Sequence, residues 1–291
     1  MQLVFHAGPL DEFLLLLPLL RAMPRPMTVV APWQRASLAA RLIGTAPMDI
    51  ELFEFTRLHA EGGPTRVSPA VQDLFDSATR VVSLLSADED AWAKNVRRLA
   101  PDAELVLVEP RPSAEVDRHF TDWIADRFRE QGLDLKPIEP RTSPNAGGPI
   151  VIHPGSSAIK RCWPVERYEA LIEALAARGD RVRPVFGEVE LERWSPDRLH
   201  RWTEALGSES YRTADALLPV LQSARLFIGN DAGPMHLAAQ AGTPTLGILG
   251  PTDPTRSAPR AKHFNFVAPP GGPGRIEDVT LAAVLDAIGT Q

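Results

Sequence analysis

Residues 227–244 read FIGNDAGPMHLAAQAGTP, an apolar run that passes through small residues into a segment with a proline near its start. The run is typical of a buried strand, and Pro234 suits the first turn of a helix, where no backbone N–H is needed. Gly229 and Gly233 let a ligand approach the backbone closely. Because free amides at a helix start attract anions, this turn predicts a site for a diphosphate.

Two side chains of this segment have competing interpretations. Asp231 either caps the helix or holds a ribose or sugar hydroxyl, and a tight turn with an ordinary aspartate cap explains the pattern equally well. His236 lies one turn into the helix and, taken alone, is more typical of a packed core histidine.

A second turn of the same kind spans residues 153–164, which read HPGSSAIKRCWP. Ser156 and Ser157 offer hydroxyls, and Lys160 with its neighbour Arg161 offers positive charge. These groups can neutralise a phosphate leaving group without a metal, although a solvated basic loop is the simpler interpretation. Cys162, beside the two cations, is predicted to have a lowered pKa.

The first strand-to-helix turn, residues 6–13, reads HAGPLDEF. It lacks the G-x-G-x-x-G pattern, which disfavours a dinucleotide-dependent oxidoreductase. Asp11 is placed to act as a general base on a hydroxyl. The competing interpretation, an N-cap aspartate followed by a glutamate that favours the helix dipole, is preferred on this turn alone.

Three further segments have weaker signals. The GEVELE run at 187–192 follows a strand and offers a carboxylate to ribose hydroxyls, and the GPTDPTR run at 250–256 either lines a ligand site or forms a simple turn. The acidic residues 88–90 match a D-x-D metal pattern, but they are interpreted as a charged helix start. No Walker A, H-E-x-x-H or G-x-S-x-G motif is present.

Composition limits the class of protein. The chain has 291 residues, 44% of them hydrophobic and 23% charged, which are ordinary globular values. A net charge of −6 argues against a nucleic-acid partner. The single cysteine excludes an internal disulfide and fits a reducing compartment, and the longest apolar run is too short to span a bilayer. A cytoplasmic protein is expected, with peripheral contact with the inner membrane left open.

The alternation of short apolar runs with helical patterns predicts an α/β fold with largely parallel sheets. A turn-rich stretch at 139–149 divides two such halves, predicting domains over 1–140 and 149–291. Among the elements, a strand is expected at Ile50–Phe53, a helix at Ala114–Gln131 and a closing helix at Ile276–Ile288.

Together these motifs resemble glycosyltransferase family 9, the bacterial heptosyltransferases of lipopolysaccharide core synthesis. The resemblance rests on the run from Gly229 to Arg256, on the His153–Pro164 pattern and on the element from Asp11 to Pro18. It implies a GT-B arrangement, in which two Rossmann-like domains face each other across a cleft, with the acceptor on the first domain and the nucleotide-sugar donor on the second.

The resemblance also implies an inverting, metal-independent transfer from a nucleotide-sugar, with ADP-heptose expected, to a hydroxyl of a glycan or glycolipid acceptor, without a cofactor. Carried over, Asp11 is the general base and Glu190 holds the ribose. The residues assigned to the donor and its phosphates are Ser156, Ser157, Lys160, Asp231, Ala232, Gly233 and His236.

Two positions depart from the family pattern. Ala232 replaces a hydroxyl residue and leaves only its amide, and Leu10 replaces the glycine that precedes the catalytic aspartate. Leu10 and the short first half therefore keep a non-catalytic nucleotide-sugar binding protein open. A GT-B sugar-nucleotide epimerase is the second alternative.

Overall fold

A computed structural model describes residues 1–64, 66–113, 117–143 and 145–289. The chain forms two compact units, Met1–Ile138 and Glu139–Gln291. The turn-rich stretch at 139–149 belongs to the second unit, and its described residues form neither helix nor strand. Among the described helices, none combines the length and the apolar character needed to cross a membrane.

The first unit alternates strands with helices. Its strands are β1 (Gln2–His6), β2 (Met27–Ala31), β3 (Ala46–Asp49), β4 (Arg80–Leu84) and β5 (Glu104–Leu107). Its helices are α1 (Leu10–Ala22), α2 (Trp33–Ile43), α3 (Phe53–Arg57), α4 (Pro69–Asp76), α5 (Ala91–Leu99) and α6 (Phe120–Glu130).

The five strands of this unit form one parallel sheet in the order β3-β2-β1-β4-β5. The order reverses between β1 and β4, and ligands of doubly wound sheets bind beyond the carboxyl ends of the strands at such a reversal. The turn that follows β1 therefore lies where a ligand is expected. One face of the sheet packs an aromatic cluster in which Phe5 contacts Phe55, Phe75 and Trp92.

The second unit repeats the pattern. Its strands are β6 (Ile150–His153), β7 (Val182–Phe186), β8 (Glu209–Ser210), β9 (Leu226–Asn230), β10 (Thr245–Ile248) and β11 (Phe264–Val267). Its helices are α7 (Val165–Ala177), α8 (Glu188–Arg193), α9 (Pro196–His200), α10 (Ala214–Ser223), α11 (Gly233–Gln240), α12 (Pro254–Ser257) and α13 (Leu281–Gly289).

The six strands are parallel in the order β11-β10-β9-β6-β7-β8. Here the order reverses between β6 and β9, whose last pair in register is His153 and Gly229. The two motif turns identified in the sequence thus begin side by side at the reversal. The prediction of an α/β fold with two parallel-sheet units is confirmed.

Three element predictions needed correction. The strand expected at Ile50–Phe53 is instead a turn leading into α3, and the actual strand, β3, contains Pro47, which an edge strand tolerates because one side has no hydrogen-bonding partner. The helix expected at Ile276–Ile288 is divided, because Thr280 caps a new helix by accepting from the amide of Ala283.

The helix expected at Ala114–Gln131 begins later than predicted. Its first three residues lie outside the described part of the chain, and α6 begins after His119, whose Nδ1 accepts a hydrogen bond from the amide of Thr121 at 3.2 Å. The acidic run at 88–90 was interpreted correctly: Asp90 is the N-cap of α5 and accepts from the amide of Ala93 at 3.0 Å.

Candidate functional site

The loop between β6 and α7 is fixed at both ends by one side chain, Asn230. Its Nδ2 donates to the carbonyl of Pro154 at 2.5 Å, and its Oδ1 accepts from the amide of Trp163 at 3.0 Å. Oδ1 also accepts from the hydroxyl of Tyr168 at 2.8 Å. Asn230 is fully buried, so these bonds form away from water and give the loop a defined shape.

Asp231, the next residue, is the centre of a buried polar cluster. Its Oδ2 accepts from the hydroxyl of Thr252 at 2.6 Å and from Nη1 of Arg161 at 3.2 Å. Its Oδ1 lies 3.4 Å from Nε2 of His236. Sequence reasoning had placed His236 and Asp231 on the donor, and the structure brings the two together.

The environment of Asp231 favours its ionised form. Burial by itself raises the pKa of this carboxyl, but His236, Thr252 and Arg161 together outweigh burial and hold the pKa below its ordinary value. The cluster therefore keeps a negative charge, which lies beside the guanidinium of Arg161. Thr252 was missed as a site residue. Arg161 was named only as a positive charge beside Lys160, and its contact with Asp231 was not predicted.

The two serines of the β6 loop differ in exposure. Ser156 is buried and donates its hydroxyl to the carbonyl of Asp231 at 3.3 Å, so it joins the two loops. Ser157 is exposed, as is Lys160, which lies on a single 3-10 turn at 159–161. A phosphate only accepts hydrogen bonds, so contact with Ser156 requires its present bond to break, whereas Ser157 and Lys160 face solvent.

Helix α11 begins with open backbone donors. Its N-cap, Ala232, has no capping side chain, and Pro234 has no N–H to contribute. Within the described chain, neither the amide of Ala232 nor that of Gly233 donates to a protein group. The helix start therefore has the properties of the anion site predicted from the sequence.

Glu190 occupies a different place from the one its predicted role suggests. Its carboxylate accepts from the amide of Gly187 at 2.7 Å and packs against Gly155, where an added Cβ would lie 1.7 Å from Oε1. His153 Nε2 is 3.8 Å away, and burial lowers the pKa of this histidine although Glu190 opposes the shift. Glu190 is buried, and its contact with a ribose stays a prediction.

The prediction for Cys162 is wrong. Burial raises the pKa of its thiol above the ordinary value, and the nearby Arg193 and Arg161 compensate only in part. The thiol points to the carbonyls of Ser156 and Ala158, at 3.5 and 3.6 Å, rather than to a base.

In the first unit, Asp11 follows β1 at the reversal of the sheet. It lies inside the first turn of α1, whose N-cap is Pro9, so the interpretation of Asp11 as an N-cap residue is wrong. Its Oδ1 accepts from the adjacent amide of Glu12 at 3.0 Å, and its side chain is half-buried. The carboxylate is thus held at a helix start with capacity to accept further bonds.

Charged groups surround this turn. Glu12 accepts from Nε of Arg111 at 2.9 Å, and Asp11 interacts electrostatically with Arg35. His6, the last residue of β1, is buried. Burial, together with the positive charges of Arg35 and Arg111, lowers the pKa of its imidazole to about 3. The turn therefore combines a neutral imidazole, two carboxylates and two guanidinium groups.

No group of three or more histidine, cysteine, aspartate or glutamate side chains is arranged to hold a metal ion among the residues that the structure describes.

Comparison with known proteins identifies similar chains. The model of glycosyltransferase family 9 (heptosyltransferase) matches residues 90–269. Lipopolysaccharide heptosyltransferase 3 of Escherichia coli K12 is 28% identical over 168 residues, 56% of this chain and 49% of that protein. The matched region thus spans about half the length of this curated relative.

Two solved structures of the E. coli heptosyltransferase WaaC resemble the whole fold. The complex with ADP has a TM-score of 0.69 at 18% identity and covers 100% of this chain and 99% of that chain. The complex with ADP-2-deoxy-2-fluoro heptose has a TM-score of 0.65, also at 18% identity and with the same coverage. At this identity the likeness concerns the fold.

Proposed function

Since the chain belongs to glycosyltransferase family 9, the heptosyltransferase family, we propose that it transfers heptose from ADP-heptose to a hydroxyl of a lipopolysaccharide-type glycan, with inversion at the anomeric carbon. The observation that carries the proposal is the pair of loops at the sheet reversal of the second unit. There, exposed Lys160 belongs to one loop, and the other loop leads to the open amides at the start of α11.

We assign the diphosphate of the donor to these groups. The amides of Ala232 and Gly233 donate to phosphate oxygens, and Ser157 and Lys160 approach from the other loop. As the bond to the anomeric carbon breaks, its electron pair moves to the terminal phosphate oxygen. Lys160 and the N-terminus of α11 stabilise the negative charge that develops on this oxygen. In other enzymes a divalent cation stabilises the same charge. The proposal therefore needs no metal and no further cofactor.

Asp11 is the general base. The acceptor hydroxyl attacks the anomeric carbon while its proton passes to a carboxylate oxygen of Asp11, so one C–O bond forms as another breaks. A single displacement of this kind inverts the anomeric centre. Glu12 is a poorer candidate for the base because its carboxylate is already paired with Arg111.

Asp231 and His236 act together on the donor in this proposal. Asp231 orients His236 and Arg161 at the β9 turn, so that the charge of Arg161 lies beside the diphosphate. Glu190, at the start of α8, is assigned to the ribose in this proposal. The single cysteine fits reaction in the cytoplasm, where a glycolipid acceptor would place the protein against the inner membrane.

The nucleotide is tested first, by the rise in melting temperature with ADP, UDP and GDP. We expect ADP to give the largest rise, and a larger effect of UDP or GDP would overturn the assignment of the donor. Lys160→Ala should weaken ADP binding, and an unchanged affinity would remove Lys160 from the site.

The base is tested with Asp11→Asn. We expect turnover of ADP-heptose with acceptor to fall by about 10²- to 10⁴-fold, while the affinity for ADP stays near that of the unaltered protein. Asp73→Asn is the control, because Asp73 is an exposed aspartate of α4 in the same unit. Equal turnover in the Asp11 and Asp73 variants would contradict the role of Asp11.

A non-catalytic nucleotide-sugar binding protein is the second candidate, and Leu10, at the first position of α1, favours it. A side chain at this position fills space where the family pattern has glycine. Binding of ADP-heptose without turnover, with every acceptor tried, would support this candidate. Interconversion of a UDP-sugar without acceptor would indicate an epimerase instead.

A further inference from the structure

Arg193, the last residue of α8, binds two successive carbonyl groups of the β6 loop. Its Nη1 donates to the carbonyl of Ser156 at 3.0 Å, and its Nη2 donates to that of Ser157 at 2.6 Å. One planar guanidinium therefore determines the direction of two neighbouring peptide groups.

The direction of the carbonyls also sets that of the amides. A trans peptide group is planar, with its N–H opposite its C=O. The N–H groups of Ser157 and Ala158 therefore point away from Arg193. Neither amide donates to another group in the described chain. Two adjacent open donors are the kind of backbone arrangement that binds anions.

Helix α8 contacts the same loop at a second point. Glu190, one turn before Arg193, fills the space beside Gly155, so that the loop follows the helix closely. The thiol of Cys162 also points to the carbonyl of Ser156. These contacts position the loop, and among the residues that the structure describes only Arg193 binds the carbonyls of both Ser156 and Ser157.

We propose that Arg193 is a positioning residue that holds the amides of Ser157 and Ala158 toward a phosphate of the bound nucleotide diphosphate. The inference rests on the proposed function, because it takes the β6 loop as part of the donor site. Arg193 itself does not touch the phosphate. Its guanidinium binds the carbonyls of Ser156 and Ser157. The two peptide groups that carry these carbonyls then direct their N–H groups toward the phosphate.

The experiment compares ADP with adenosine by calorimetric titration of three variants of the full chain. Arg193→Ala should weaken ADP binding by at least about tenfold and leave adenosine binding unchanged. Arg193→Lys, which keeps the charge and one of the two contacts, should recover part of the loss. Arg198→Ala is the matched control: this arginine of α9 pairs with Glu166 and lies outside the loop.

Each of the following outcomes would overturn the inference about Arg193. Unaltered ADP binding by Arg193→Ala would overturn the inference while leaving the proposed function intact. An equal loss for ADP and adenosine, or a melting temperature well below that of Arg198→Ala, would show a purely structural role and also overturn it. Failure of the unaltered protein to bind ADP would overturn the proposed function and this inference with it.

Discussion

The side-chain amide of Asn230 donates a hydrogen bond of 2.5 Å to the carbonyl of Pro154. The bond joins the ends of β6 and β9, the two central strands of the second unit. Because Asn230 also accepts from the amide of Trp163, both ends of the loop between β6 and α7 depend on one buried side chain. The shape of the candidate donor site thus depends on a residue whose side chain is buried in the core.

Replacing Asn230 should destabilise the second unit. Asn230→Ala leaves the carbonyl of Pro154, the amide of Trp163 and the hydroxyl of Tyr168 without their partner, and each buried unpaired group costs about 1–3 kcal/mol. We expect the free energy of unfolding in urea to fall by about 3 kcal/mol or more. Asn265→Ala, at an exposed asparagine of β11, is the control, and an equal change in both variants would contradict the prediction.

Gly155→Ala should disturb the N-terminus of α8. The new Cβ would lie 1.7 Å from Oε1 of Glu190, so the carboxylate must leave its bond to the amide of Gly187. Forced repacking of this kind costs about 1–3 kcal/mol. We expect the loss in unfolding free energy to shrink when Glu190→Ala is present, because the clash is then removed.

Gly147→Ala is the control for this double-mutant cycle, since the nearest atom to its added Cβ lies 4.0 Å away. Additive effects of the substitutions at Gly155 and Glu190 would mean that the two residues do not interact.

Much of this architecture could be predicted from the sequence, because the two motif turns combine a buried strand, small residues and a proline-started helix. Gly229 permits close approach to the backbone, and Pro234 suits the first turn of a helix, so this local pattern indicates a strand-to-helix turn. The parallel sheets follow from the alternation of elements. Strand β3 shows one limit: an edge strand with Pro47 lacks the continuous apolar run that identified the longer strands.

The sequence could not show which of two neighbouring charged residues forms a buried contact and which stays exposed. Lys160 and Arg161 are adjacent, and only the 3-10 turn decides that Arg161 reaches Asp231 while Lys160 stays exposed. Likewise Glu188 is exposed and Glu190 buried within one helix. Such differences arise from packing between loops that are distant in sequence.

Cys162 should react slowly with alkylating reagents near neutral pH. Burial raises the pKa of its thiol, and the thiolate is the reactive form. It is the single cysteine of the chain, so iodoacetamide incorporation reports on it directly. We expect a rate below that of a cysteine peptide at neutral pH, and a peptide-like rate once the chain is unfolded in urea. A folded-state rate equal to that of the peptide would contradict the assignment.

Because of His6, we expect the free energy of unfolding of the first unit to fall as the pH is lowered. Its pKa is about 3 in the folded protein, against an ordinary 6.5, so between these values the unfolded chain binds the proton more readily. The stability that neutral His6 contributes is complete above pH 6.5 and is lost as pH falls toward 3. Each pH unit in this range lowers the free energy of unfolding by about 1.4 kcal/mol.

The measurement is urea unfolding of the unaltered protein and of His6→Gln at about pH 6.5 and about pH 5.5. Other groups titrate equally in both proteins, so the difference between their pH slopes isolates His6. We expect the unaltered protein to lose about 1 kcal/mol more than the variant, because His6 of the unfolded chain is half protonated at the upper pH and almost fully protonated at the lower one. His263→Gln, at an exposed histidine, should keep the slope of the unaltered protein. Equal slopes for the unaltered protein and His6→Gln would show that His6 titrates normally and that its burial imposes no penalty on the charged form.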